Sequence, residues 1–161
     1  MADAEDDGAA TTGSELPAPI LLPRGSGRSL AFLAVTHRLT SDQSDGSIAI
    51  FESTFEGGDS NRLHVHSRED EIAYVLDGAL EVRLPDRVAG VLEAGGVGRL
   101  PKGLPHALRN PLEVPSRYLF LAVPGGIDRW FDAVAQARDA GRLDDAVFRA
   151  LSEDHGIGWL E

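Results

Sequence analysis

His64 and His66 stand one residue apart in "NRLHVHSREDE", and Glu71 closes that stretch five positions after the second histidine. The chain has no cysteine, so any metal ion it holds must be bound through nitrogen and oxygen. Successive side chains of a strand point to opposite faces, which puts the two histidines on one face about 6–7 Å apart along the chain. From there both rings can turn to a common ion. Glu71 follows the polar turn "SRED" and, on a returning strand, can offer its carboxylate to the same point. Glu69 and Asp70 read as turn residues facing solvent. A third imidazole comes from "GGVGRLPKGLPHALRN", where His106 opens a strand after the turn residues Pro101 and Gly103. Three neutral imidazoles and one carboxylate suit one divalent transition ion (Fe, Mn, Ni, Co, Cu or Zn) with positions left for substrate or water. The other two histidines carry less. His37 lies at a strand end beside a polar loop and His155 beside the helix stop Gly156, and both are expected to be structural.

Many short strands must position these groups. "SLAFLAVTHRLT" and "SIAIFESTF" are β-rich runs separated by the polar "SDQSDG". "RLHVH" follows, then "EIAYVLDGALEVRL", in which Asp77-Gly78 is a hairpin signal. "RVAGVLEAGG", "VGRLPKG", "HALRN" and "SRYLFLAVP" continue the series without a helix. The expected fold class is all-β: an antiparallel double-sheet sandwich or small barrel. After it the period changes. Ile127, Trp130, Phe131 and Val134 fall at i, i+3, i+4 and i+7, which predicts an amphipathic helix stopped at Gly141. A second short helix is expected from Asp144, as N-cap, to Gly156, with Leu143 and Phe148 as a hydrophobic staple. Trp130 and Phe131 are expected to pack on the barrel rather than to line a cofactor site.

The organisation follows. Residues 1–15 are acidic, small and polar and read as a disordered tail. Residues 16–124 form the barrel with an N-terminal arm, "LPAPILLPRG", laid over the body or a partner subunit. Residues 125–161 are a helical extension packed on the barrel. The net charge of −11 argues against nucleic acid and anionic membranes as partners. No run reaches the length of a membrane span and the N-terminus lacks a signal-peptide pattern, so a cytoplasmic protein is expected.

The spacing Gly58, His64-x-His66, Glu71, Gly78 resembles the first motif of the cupin superfamily, and Gly95, Pro101-x-Gly103, His106, Asn110 resembles the second. The resemblance implies a cupin (jelly-roll) β-barrel, commonly a homodimer, with His64, His66, Glu71 and His106 as metal ligands inside it. It gives the glycines to turns and Asn110 to structural work at a strand end. "AVPGGIDRWFDAVAQA" is similar to the end of single-domain quercetin dioxygenase-like cupins. That branch implies a flavonol-like enolate, dioxygen as co-substrate, and Glu71 as both ligand and general base.

Strand alternation extends the pocket. If Glu71 points inward, so do Ala73 and Val75, and Leu108 shares the face of His106. On "SIAIFESTF" either Phe51, Ser53 and Phe55 or the alternate set with Glu52 lines it. A mostly apolar cavity beside one metal favours an aromatic or polyketide-like ligand over a phosphorylated sugar. Three functions are compatible with these residues: an oxygenase of the quercetinase type, a non-redox metal-dependent polyketide cyclase or isomerase, and a small-molecule binder without turnover.

Overall fold

Short β-rich runs broken by glycine and proline cannot bury an apolar face singly, and here they stack around two adjoining core clusters. The computed structural model describes residues 18–160; the expected tail, 1–15, and the first two residues of the arm lie outside them. The strands are β1 (Arg28–Leu30), β2 (Val35–Leu39), β3 (Ala49–Phe55), β4 (His64–His66), β5 (Asp70–Asp77), β6 (Ala79–Leu84), β7 (Arg87–Glu93), β8 (Val97–Leu100), β9 (Ala107–Arg109) and β10 (Ser116–Val123). Two helices, α1 (Asp128–Asp139) and α2 (Asp145–Asp154), lead to a last strand, β11 (Ile157–Trp159). One sheet runs β1-β2-β3-β10-β5-β8; opposite lie β7-β6-β9 and β11-β4, joined by a bridge between His64 and His106. All the pairings are antiparallel. This is the expected all-β jelly roll with two short C-terminal helices.

Two local expectations give way. "SLAFLAVTHRLT" is not one strand: a single 3-10 turn, Ala31–Leu33, separates β1 from β2, and Ala34 takes a left-handed backbone to restart the ladder. Asp77-Gly78 is not a hairpin. β5 pairs with β10 and β8 whereas β6 pairs with β7 and β9, so Gly78 turns the chain from one sheet to the other. Its φ of 79° favours glycine, and a Cβ there would sit 2.7 Å from that of Ser116. Of the two placements expected for the arm, the body is not the one taken by its described part, in which Leu21 is 84% exposed.

Asn110 does the structural work expected of it. Fully buried, its Nδ2 donates to the carbonyls of Phe55, Glu56 and Val114, and its Oδ1 accepts from Leu112 N and Ser116 Oγ. One amide thus pins the segments flanking β3, β9 and β10.

The C-terminal helices form where the 3.6 period places them. Ile127, Trp130 and Val134 are buried against the barrel. Asp144 caps α2 by accepting from Val147 N at 2.8 Å, and Leu143 and Phe148 both pack on the core, as a staple requires. Trp130 Nε1 donates to the buried Ser152 Oγ, tying α1 to α2. The extension is not purely helical, however. After Gly156, β11 joins β4 with Ile157 opposite His66 and Trp159 opposite His64. Among the described residues no helix is long and apolar enough to cross a membrane.

Candidate metal centre

β4 turns His64 and His66 inward and Val65 away, as period-two alternation requires. His106 reaches them from the residue before β9. Its backbone exchanges both hydrogen bonds with His64, N to O at 2.9 Å and 2.8 Å, which sets the two rings side by side with centroids 4.5 Å apart. Glu71 does not return on a neighbouring strand. It lies on β5 in the opposite sheet, and the corner after His66 carries the chain across the sandwich to put it there. Its Oε2 is 3.2 Å from His66 Nε2 and 3.5 Å from His106 Nε2.

All four candidate donor atoms lie within 4.8 Å of one another. Donors each about 2.1 Å from a common ion stand roughly 3–4 Å apart, so the widest pair here need close by no more than about 1–2 Å. The Nε2 atoms of His66 and His106 are buried without a hydrogen-bond partner. Two orphaned nitrogens beside a carboxylate are what a divalent cation would satisfy, and the residues therefore fit a metal ion.

The Nδ1 atoms fix the tautomers. His64 Nδ1 donates to Arg62 O at 2.8 Å and His106 Nδ1 to Leu104 O at 2.9 Å. A carbonyl only accepts, so each neutral ring keeps its proton on Nδ1 and presents a lone pair at Nε2. His66 Nδ1 donates instead to Glu69 Oε1 at 2.9 Å. Glu69 is thus not a solvent-facing turn residue; it is 4% exposed and borders the cavity. The triplet Glu69-Asp70-Glu71 gives no sign of this, because which of three consecutive acids turns inward is set at the corner. Asp70 does face outward, to Arg99 at 2.6 Å.

Burial, then the neighbouring His66 and His106, lowers the His64 pKa to about 4, so that this ring is neutral at physiological pH. Burial also disfavours charge on His66, but the hydrogen bond to Glu69 and the nearby Glu71 and Glu69 carboxylates outweigh it and raise its pKa to about 9. Glu71 is disfavoured as an anion by burial, yet the imidazoles of His106 and His66 beside its Oε2 hold its carboxyl well below the usual range. With no metal bound, His66 is therefore protonated at neutral pH, and a metal must displace its Nε2 proton. Apparent affinity should rise about tenfold per pH unit between neutrality and pH 9 and then level off. Calorimetry in two buffers of different ionisation enthalpy should find close to one proton released per metal near pH 7; no release would contradict this assignment.

The cluster opens into a cavity of about 250 Å³. Phe51, Ser53, Phe55 and Leu108 line it, so the inward set of β3 is the one with Phe51; Glu52 faces outward to Arg117. Ala73 and Val75 point inward but do not line it. They belong to the other core cluster with Leu80, Val82, Leu100, Leu108 and Tyr118, and Phe120, the cross-strand partner of Ala73, supplies the bulk beside that methyl. The far wall comes from the extension: Trp130, Phe131, Phe148 and Trp159. Trp130 and Phe131 thus both pack and line. Trp159, unforeseen because a three-residue strand leaves no periodic signal, sets its ring 5.3 Å from that of His64. His37 is buried against Phe51 and Phe131, away from the cluster, and His155 caps α2 through Leu151 O.

Comparison with known families bears on this arrangement directly. Residues 51–122 match the cupin domain. That cupin stretch runs from β3 to β10 and holds all four candidate ligands. Solved structures agree on the fold. The chain is similar to KdgF from a Halomonas species (TM-score 0.57, 21% identity, 70% of this chain and 99% of that one). It is also similar to a predicted oxalate decarboxylase from Thermotoga maritima (TM-score 0.52, 22% identity, 56% and 78%). A Klebsiella pneumoniae protein with a double-stranded beta-helix domain resembles it as well (TM-score 0.50, 20% identity, 56% and 76%). The match supports a cupin domain over residues 51–122; at such identities the solved structures speak for the fold alone. No curated protein matches the chain.

Proposed function

We propose that this protein is a metal-dependent oxygenase of the quercetinase type, acting on a flavonol-like or other enolisable aromatic substrate, with dioxygen as co-substrate. The observation that carries this reading is the cavity's composition. Beside His64, His66, Glu69 and Glu71 its lining is mostly aromatic and aliphatic, and it contains no Arg or Lys to pair with a phosphorylated or carboxylated ligand. A divalent ion bound by His64, His66, Glu71 and His106 would acidify a substrate hydroxyl and stabilise the resulting anion. The chain's own residues do the rest. Phe51, Phe131 and Trp159 offer ring faces and edges to a planar ligand and exclude water from it. Glu71, ionised and close to two imidazoles, is placed to accept the hydroxyl proton.

The test is oxygen uptake by the full-length protein loaded in turn with Fe, Mn, Co or Ni and offered flavonols and aromatic diols. Consumption of oxygen in step with loss of a flavonol is expected. Turnover that proceeds equally without oxygen would overturn the oxygenase reading and leave the cyclase or isomerase chemistry; tight binding with no product would leave a binder.

A further inference from the structure

Two of the three clustered histidines are oriented by the backbone, and one is not. His64 and His106 hold their Nδ1 protons on the carbonyls of Arg62 and Leu104, partners that no side-chain substitution removes. His66 depends on a single side chain, Glu69, whose Oε1 lies 2.9 Å from Nδ1. Glu69 is itself 4% exposed, so its carboxylate is held in a dry pocket beside the cluster rather than averaged by solvent. Burying a carboxylate is costly unless it is partnered, and the partner found is the imidazole whose other nitrogen is orphaned towards Glu71. Glu69 is not one of the four clustered donors, and it stands only two residues before Glu71, on the corner between β4 and β5.

We infer that Glu69 is the positioning residue of the metal centre: its carboxylate fixes the rotation of the His66 ring, keeps the proton on Nδ1, and so aims the Nε2 lone pair at the ion. The inference rests on the four-residue cluster being a metal site, and it assigns a role within it that the cupin motifs do not carry. A carboxylate behind a ligating imidazole also makes that imidazole a stronger donor than one backed by a carbonyl. His66 is then the strongest of the three nitrogen donors, and the affinity of the whole centre depends on a residue that does not touch the ion.

The experiment titrates Co(II) into the full chain against a competing chelator and follows the visible d–d spectrum of the bound ion. Glu69→Ala should weaken Co(II) binding by about 10–100-fold and alter the d–d bands, because a freed His66 ring no longer holds one geometry. Glu69→Gln keeps an oxygen that accepts from Nδ1, and should restore the wild-type spectrum and recover most of the affinity. Thermal melting of the metal-free variants reports whether they fold. If Glu69→Ala does not fold, Glu69→Gln against Glu69→Leu makes the same comparison of acceptor with no acceptor. Wild-type affinity and spectrum in a folded variant without the acceptor would overturn the role of Glu69 while leaving the metal centre standing. A wild-type chain that binds no Co(II) would overturn both.

Discussion

His66→Ala and His106→Ala should each leave the protein with less than about a tenth of the metal bound by the wild type. Plasma mass spectrometry on protein purified in parallel measures this directly. The expectation follows from the donor set. Removing one imidazole takes a nitrogen from a site with only four protein donors and no thiolate to compensate. It also opens a gap in the packed row of rings, whose centroids are 4.5–5.7 Å apart, so that the remaining nitrogens lose their mutual support. Glu71→Gln should behave differently. The amide retains an oxygen at the same place but no charge, so a measurable fraction of the metal should stay while any proton-abstraction step is lost. Equal depletion in all three variants would reduce Glu71 to a ligand and remove it as general base. His155→Ala is the matched control, because that ring bonds only to Leu151 O on α2, and it should keep its full complement of metal.

Trp130→Ala should cost about 3–5 kcal/mol, the range for deleting a large buried aromatic. Trp130 is 6% exposed and sits at the junction of α1, α2 and β11. Its ring lies 4.8 Å from Phe131, 5.7 Å from Phe148 and 6.2 Å from Trp159, and its Nε1 donates to Ser152 Oγ. Truncation removes the ring and breaks the polar tie between the helices. For a domain of this size the midpoint of thermal unfolding should fall by roughly 10 °C. Trp130→Phe keeps most of the ring volume and should cost about half as much or less. Urea unfolding of the three proteins checks both figures. A loss below about 1 kcal/mol for Trp130→Ala would mean that the extension contributes little to the barrel. The same substitution enlarges the cavity wall, so a ligand that stacks there should also bind less tightly, in proportion to the apolar area lost.

The candidate metal ligands are legible because their signal is local and stereotyped. Period-two alternation alone brings His64 and His66 to one face, and the turn residues before His106 mark the start of its strand. The amphipathic spacing from Ile127 to Val134 likewise announces α1 whatever it packs on, since a helix satisfies its own backbone. What failed did so for one reason: strand pairing is non-local. Asp77-Gly78 carries the signature of a hairpin, and Gly78 does adopt the left-handed turn, but whether the chain then folds back on β5 or crosses to the other sheet depends on β10 and β8 having taken both edges of β5. Ala73 and Val75 lie on the face that alternation gives them but in another part of the core, because depth along a barrel is set by what stands opposite.

The four candidate donors, the β-rich class and the two helices are all readable from the chain, since each is written in the type and short-range spacing of residues. Only the tertiary structure decided that Glu71 meets the histidines from the opposing sheet, that Glu69 backs His66, and that β11 and the helices wall the cavity with Trp130, Phe131 and Trp159. Those contacts join segments far apart in the chain or turned at a corner, and their free energy comes from packing that no local pattern encodes.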